Sequence, residues 1–236
     1  MYVRVEHPRN EPVPRRFGAA GLALDCTTHA GIRGGVSNSP RYEGAAADSP
    51  QDALAVGLSE GAYVGATRGY RLARQNKNRA LFVYTVHGRT IEAVIVHDGP
   101  TVGDSGWYVE SWARCDWSEF PTRVPKSYGI KVWTDEAGQR VPTTTIKSFP
   151  DACGYDGMTE LHLGKRVYLG NTPASLRDYL AESPQRDVPL PTAAIDTDYH
   201  LQHDHLWVSQ NRQRVYVGNR GRVDVWPRAV KPLVCG

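Results

Sequence analysis

The chain has 236 residues, a formal net charge of +3 and 28 basic against 25 acidic side chains. That balance excludes a strong field for collecting nucleic acid or anionic lipid, and no apolar run approaches the roughly 18 residues of a membrane-spanning helix. A hydrophobic content of 40% is that of a folded, globular chain. Sixteen prolines and 23 glycines spread along the chain break it into many short elements, and 12 tyrosines against 4 phenylalanines suit thin sheets with half-wet faces. The expected class is α+β and β-dominated: an antiparallel meander sheet with a covering helix, then a second, β-hairpin-rich half with one short helix.

In chain order, residues 1–48 are rich in Gly, Ala, Ser and Pro with little periodicity, and read as an N-terminal arm or loop. Met1–Arg16 has no apolar core of a signal peptide and reads as an arm or as the start of a mature chain. Ser49-Pro50-Gln51-Asp52 opens a helix, with a Ser N-cap, Pro in the first turn and a carboxylate at the positive end; Gly61 ends it. Strands then follow at Gly69–Arg74, Ala80–Val86, Thr90–His97 and Trp107–Trp112, joined by short loops that make an antiparallel meander over residues 49–123. The pattern restarts in residues 129–236, a half expected to pack on the first. Ile130–Thr134 and Arg140–Phe149 flank a turn, Thr159–Leu163 and Arg166–Leu169 form a hairpin, and Thr172-Pro173 starts a short helix. Leu206–Ser209, Arg214–Gly218 and Arg222–Trp226 close the chain. One internal repeat is visible: Arg166-Val167-Tyr168-Leu169-Gly170-Asn171 matches Arg214-Val215-Tyr216-Val217-Gly218-Asn219 at all but one position.

The four cysteines, Cys26, Cys115, Cys153 and Cys235, have no C-x-x-C and no His at zinc-finger spacing, so a metal site built on them is a poor reading. Four buried thiols and two disulfides remain as readings. Disulfides are preferred, pairing Cys26 with Cys115 and Cys153 with Cys235, because each bond then staples one half of the chain. Such bonds persist outside the reducing cytosol.

Chemistry-bearing residues are few. Gly103-Asp104-Ser105-Gly106 looks like the serine-protease segment around a nucleophile, but Trp107 follows where that pattern has a glycine, and the four residues read as turn chemistry. His97 ends one strand, and Tyr108, Glu110 and Trp112 alternate along the next; if the strands pair, His97 and Glu110 are candidates for acid–base work, with Tyr108 and Trp112 as ligand-binding aromatics. His200, His203 and His205 form a dense cluster in which His203 and His205 are the best metal-ligand candidates, although a hairpin with its turn at His203-Asp204 is the preferred reading and no metal is expected. No cofactor is expected. Of the six tryptophans, all but Trp117 fall in expected strands and read as core.

From Trp107-Tyr108-Val109-Glu110-Ser111-Trp112-Ala113-Arg114-Cys115-Asp116 the sequence resembles a group of uncharacterised secreted or membrane-anchored proteins of high-GC Gram-positive bacteria. The likeness continues through Gly129–Asp135, Val141-Pro142, Ser148-Phe149, Asp196–Tyr199, Leu206–Ser209 and Val225–Arg228, and covers Ser49 to Cys235. It implies an extracytoplasmic, disulfide-bonded domain and brings no activity with it. The function expected is that of a non-catalytic exported protein at the cell surface, binding a protein or small ligand, with no nucleic acid partner and no membrane span. The alternatives are a small hydrolase or metal-dependent enzyme using His97/Glu110 or His200/His203/His205, and a structural component of a larger assembly reached through the arm 1–48.

Overall fold

The computed structural model describes residues 16–36, 47–59, 61, 65–100, 105–151 and 154–233. The chain divides into two compact units, Met1–Val124 and Pro125–Gly236. Both are β-dominated, with antiparallel pairing in every described sheet. Among the described residues no helix is long and apolar enough to cross a membrane.

The first unit is built on strands β1 (Arg33–Val36), β2 (Arg71–Gln75), β3 (Arg79–Val86), β4 (Arg89–Pro100) and β5 (Ser105–Arg114), in the spatial order β1-β5-β4-β3-β2. The β3–β4 hairpin closes on His87 and Gly88, both at positive φ, the two-residue turn whose twist matches its flanking strands. Helix α2 (Pro50–Ser59) begins where the cap predicts: Ser49 Oγ accepts from the Asp52 N–H at 3.2 Å and donates to the Asp52 carboxylate at 2.6 Å. Its Ala53 and Leu54 bury against Phe82, Val94, Val96 and Val109 on one sheet face. Helix α1 (Gly18–Leu22) places Ala20 against Val83, Ala93, Ile95 and Ala113 on the other. Residues within the segment expected as an N-terminal arm or loop therefore supply a helical turn and an edge strand. The reason is tertiary: α1 covers the second apolar face of the central strands, which is otherwise open to water.

The second unit holds a three-stranded sheet, β6 (Ile146–Pro150), β7 (Thr159–Leu163) and β8 (Arg166–Gly170), in that order. A five-stranded sheet runs β10-β11-β12-β13-β9, from β9 (Gln185–Pro189), β10 (Ile195–Leu201), β11 (Asp204–Val208), β12 (Arg214–Gly218) and β13 (Arg222–Pro227). The two sheets share a core of Trp133, Ile146, Leu161, Tyr168, Leu206, Val215 and Trp226. Trp133 is fully buried, and its indole N–H donates to Ser148 Oγ at 3.2 Å, so the polar end of the ring is satisfied inside the core. Gly170 lies under the Trp226 ring, where an added Cβ would come within 2.3 Å of a ring carbon.

Several local expectations change. Ile130–Thr134 and the first part of Arg140–Phe149 make only isolated bridges, Lys131 to Ser148 and Thr134 to Arg140 and His200, and regular pairing begins at Ile146. Pro142 has no N–H to give a ladder, and the turn Thr143–Thr145 follows it. The short helix after Pro173 is a 3-10 helix, Ala174–Tyr179, burying Leu176. The two copies of the R-V-Y-x-G-N repeat face differently: Tyr168 points into the core between the sheets, whereas Tyr216 packs on the opposite face of its sheet with Trp207, Val223 and Val225. Cys26 and Cys115 are joined in a disulfide. Cys153 and Cys235 lie outside the described residues, as do Gly103 and Asp104 of the G-D-S-G segment; Ser105 and Gly106 start β5.

Candidate functional site

The β4–β5 ladder decides which side chains meet. Its register runs Glu92↔Arg114, Val94↔Trp112 and Ile95↔Ser111, then resumes at Val96↔Val109 and His97↔Tyr108. Glu110 is the extra residue of a β-bulge, and each such insertion resets the alternation of faces. Trp107 and Val109 before the bulge therefore share the α2 face with Trp112 after it. Tyr108 and Trp112, expected side by side, lie on opposite faces of the sheet.

The bulge leaves Glu110 beside His97 and Tyr108. His97 Nδ1 is 3.0 Å from the Tyr108 hydroxyl and 3.7 Å from Glu110 Oε2. The same carboxylate oxygen accepts from Arg79 Nε at 2.7 Å, and Arg79 is the cross-strand partner of His97. The rings of His97 and Tyr108 meet edge-on, with centroids 5.6 Å apart. Partial burial is the main cause holding His97 below the usual histidine range, and the Arg79 charge adds to it; Glu110 and Asp98 act in the other direction. At neutral pH His97 is therefore a neutral imidazole, and Arg79 is ion-paired with Glu110 beside it. Arg79→Gln raises the His97 pKa and Glu110→Gln lowers it further. Imidazole proton shifts followed against pH check this, and movement of both in one direction would sink the electrostatic account.

Arg79 also lines a groove of about 500 Å³ with Ala19, Leu22, Arg74, Leu81 and Ile95. The wall is α1, and the floor is the β3–β4 face. Leu22 is 66% exposed, so the groove carries an apolar surface beside two guanidinium groups. Among the described residues no carboxylate pairs with Arg74.

A second constellation escaped sequence reasoning. Glu92 is completely buried in β4, facing Tyr84 of β3 and Arg114 of β5. Its Oε2 accepts from the Ala66 N–H at 2.7 Å. Burial pushes its pKa up to about 8, outweighing the Ala66 N–H, the Tyr70 hydroxyl and the Arg114 charge, which all favour the ionised form. Gly65 runs so close over the carboxyl that an added Cβ would lie 1.6 Å from Oε1. Tyr84 stacks with Phe120, and the Arg114 guanidinium lies 3.6 Å over the Trp117 ring. The signal available in the sequence is one carboxylate inside Ile91-Glu92-Ala93-Val94-Ile95-Val96, an otherwise apolar strand.

The histidine cluster forms a hairpin with its turn at Gln202-His203, one residue earlier than expected. His200 and His205 are cross-strand partners with ring centroids 4.1 Å apart, and His205 stacks on Trp207. His203 is exposed on the turn. Among the described residues the one group of three close ligand atoms is Cys26, Cys115 and Glu119, and its two sulfurs are bonded to each other. Beside that disulfide, Glu119 Oε2 accepts from the Thr27 N–H at 2.9 Å and the Thr27 hydroxyl at 2.6 Å, and pairs with Arg89. No protein-family model matches the chain, and neither the curated proteins nor the solved structures contain a match.

Proposed function

We propose that the chain is an exported, extracytoplasmic protein of the cell surface that recognises a ligand rather than transforming one. The observation that carries this reading is the groove between α1 and the β3–β4 face. It joins an apolar surface to two arginines, and the nearby ionisable groups already satisfy one another. Glu110 is engaged by Arg79 and His97 by Tyr108. The disulfide supports a compartment outside the reducing cytosol, and the resemblance of Trp107–Asp116 and the segments after it to secreted proteins points the same way.

The groove chemistry selects a ligand with a small apolar body and an acidic group, the latter seated between Arg74 and Arg79. Titration with N-acetyl-leucyl-leucine, followed by methyl NMR, tests this. Shifts confined to Leu22, Leu81 and Ile95 are expected, and loss of the response in Arg74→Gln. Absence of shifts at concentrations on the order of 1 mM, or shifts scattered over the surface, would refute the assignment.

A further inference from the structure

The second unit has a cleft of its own, about 370 Å³, at the start of β8 and along the segment that follows β13. Lys165, Arg166, Arg228 and Lys231 converge on it, with Val167 as part of an apolar wall and Glu160 as the one acid of the lining. That concentration is unusual in a chain whose net charge is only +3. Among the described residues no carboxylate pairs with Lys165, Arg166 or Arg228, and Lys231 lies over the Tyr179 ring at 5.6 Å. Glu160 is turned to a partner outside the cluster, with Oε1 2.5 Å from His162 Nε2.

The walls are fixed by backbone bonds rather than by side chains. The Ala229 N–H donates to Val167 O at 2.9 Å, the Val230 N–H to Tyr179 O at 2.8 Å, and the Ala181 N–H to Arg228 O at 2.9 Å. The strand-like segment carrying Arg228 and Lys231 is therefore stitched on both edges. Its cations are held near those of the β7–β8 turn before any ligand arrives, which lowers the ordering cost of binding. Four cations held together repel one another, and an oxyanion carrying more than one charge relieves that repulsion best.

We propose that this cleft binds a phosphate monoester. Arg166 and Arg228 supply planar donor forks to the phosphate oxygens, Lys165 and Lys231 act as point charges, and the apolar wall takes the group esterified to it. A phosphate monoester brings a charge of about −1.5 to −2 at neutral pH, whereas a carboxylate brings one. The site lies within the unit Pro125–Gly236 and does not depend on the groove of the first unit.

Isothermal titration calorimetry of the full chain with phenyl phosphate tests the assignment. Saturable binding is expected, weakened about tenfold or more by Arg166→Gln and by Arg228→Gln. Arg186→Gln, which removes one exposed cation of β9 outside the cleft, should leave it unchanged. Lys165→Gln, at an exposed hairpin turn, gives a smaller loss and guards against an arginine variant that misfolds, with far-UV circular dichroism confirming the fold of each. Benzoate should bind more weakly than phenyl phosphate, and inorganic phosphate should fall between them. Binding that is absent, insensitive to both arginine variants or equally sensitive to Arg186→Gln would overturn the proposal. So would tighter binding of diphenyl phosphate, a singly charged diester of the kind found in surface polymers.

Discussion

Replacing Cys26 and Cys115 by serine lowers the stability of the first unit by about 4–5 kcal/mol, the entropy returned to an unfolded loop of this size. The two cysteines are 89 residues apart in sequence, and the loop they close contains α2 and all five strands of the sheet. The bond also anchors the segment after α1, alongside the Asp25 N–H donating to Thr90 O at 2.7 Å, Arg89 Nε donating to Asp25 O at 3.1 Å, and Thr27 held by Glu119. Urea unfolding followed by the methyl NMR signals of Ile91, Val94 and Val96, which are buried in the first unit, with and without reductant, reads the effect. Reduced wild type and the double variant should unfold at the same, lower midpoint. Mass spectrometry after alkylation without reductant should find neither Cys26 nor Cys115 modified. A midpoint change worth less than about 1 kcal/mol would mean that the sheet and its two helices hold the segment unaided.

The second large effect is a stability that falls as pH rises, and its source is Glu92. In the unfolded chain this carboxyl titrates near 4.5, whereas in the fold its pKa is raised to about 8. Between those values the folded unit retains a proton that the unfolded chain has released. The contribution is therefore complete below pH 4.5, declines through the interval and is lost above pH 8. The slope of a single such group is roughly 1 kcal/mol per pH unit, so a loss of a few kcal/mol accumulates across the window. Glu92→Gln keeps the shape and the acceptor for the Ala66 N–H without the ionisation. It should flatten this part of the profile and unfold at higher urea than wild type at pH 8.5, and at nearly the same urea at pH 4.5. Parallel profiles for the two proteins would place the ionisation elsewhere. Glu92→Ala is expected to lose stability at every pH, since it empties a fully buried position and orphans the Ala66 N–H.

Parts of this architecture are legible residue by residue. Ser49, Pro50 and Asp52 announce the start of α2, and His87-Gly88-Arg89 announces a turn between two strands, which the structure tightens to His87-Gly88. The mixture of frequent Gly and Pro with short runs of Val, Ile and Tyr announces antiparallel sheets. The candidate site is legible only in part. His97, Tyr108 and Glu110 can be nominated from strand pairing, and they do meet. Trp112 belongs with them by strict alternation, yet it faces α2, because the bulge at Glu110 inserts one residue into β5 and a bulge is a property of two strands in register. Arg79, which balances Glu110 and borders the groove, is 31 residues away in sequence. The cleft of the second unit gathers Lys165 and Arg166 from one hairpin and Arg228 and Lys231 from a segment far along the chain, with no shared motif to link them.

By itself, then, the sequence determined what has a local cause: the β-dominated class and the α2 cap. Only the tertiary structure decided what depends on distant partners. It brought residues 16–36 onto the sheet as a helix and an edge strand, turned Tyr168 inward and Tyr216 to the opposite face within one repeated motif, and buried Glu92 deeply enough to keep its proton. The physical reason is common to all three. Alternation and capping act over a few residues, whereas the face a strand buries and the solvation of a carboxyl are set by what another part of the chain lays over them.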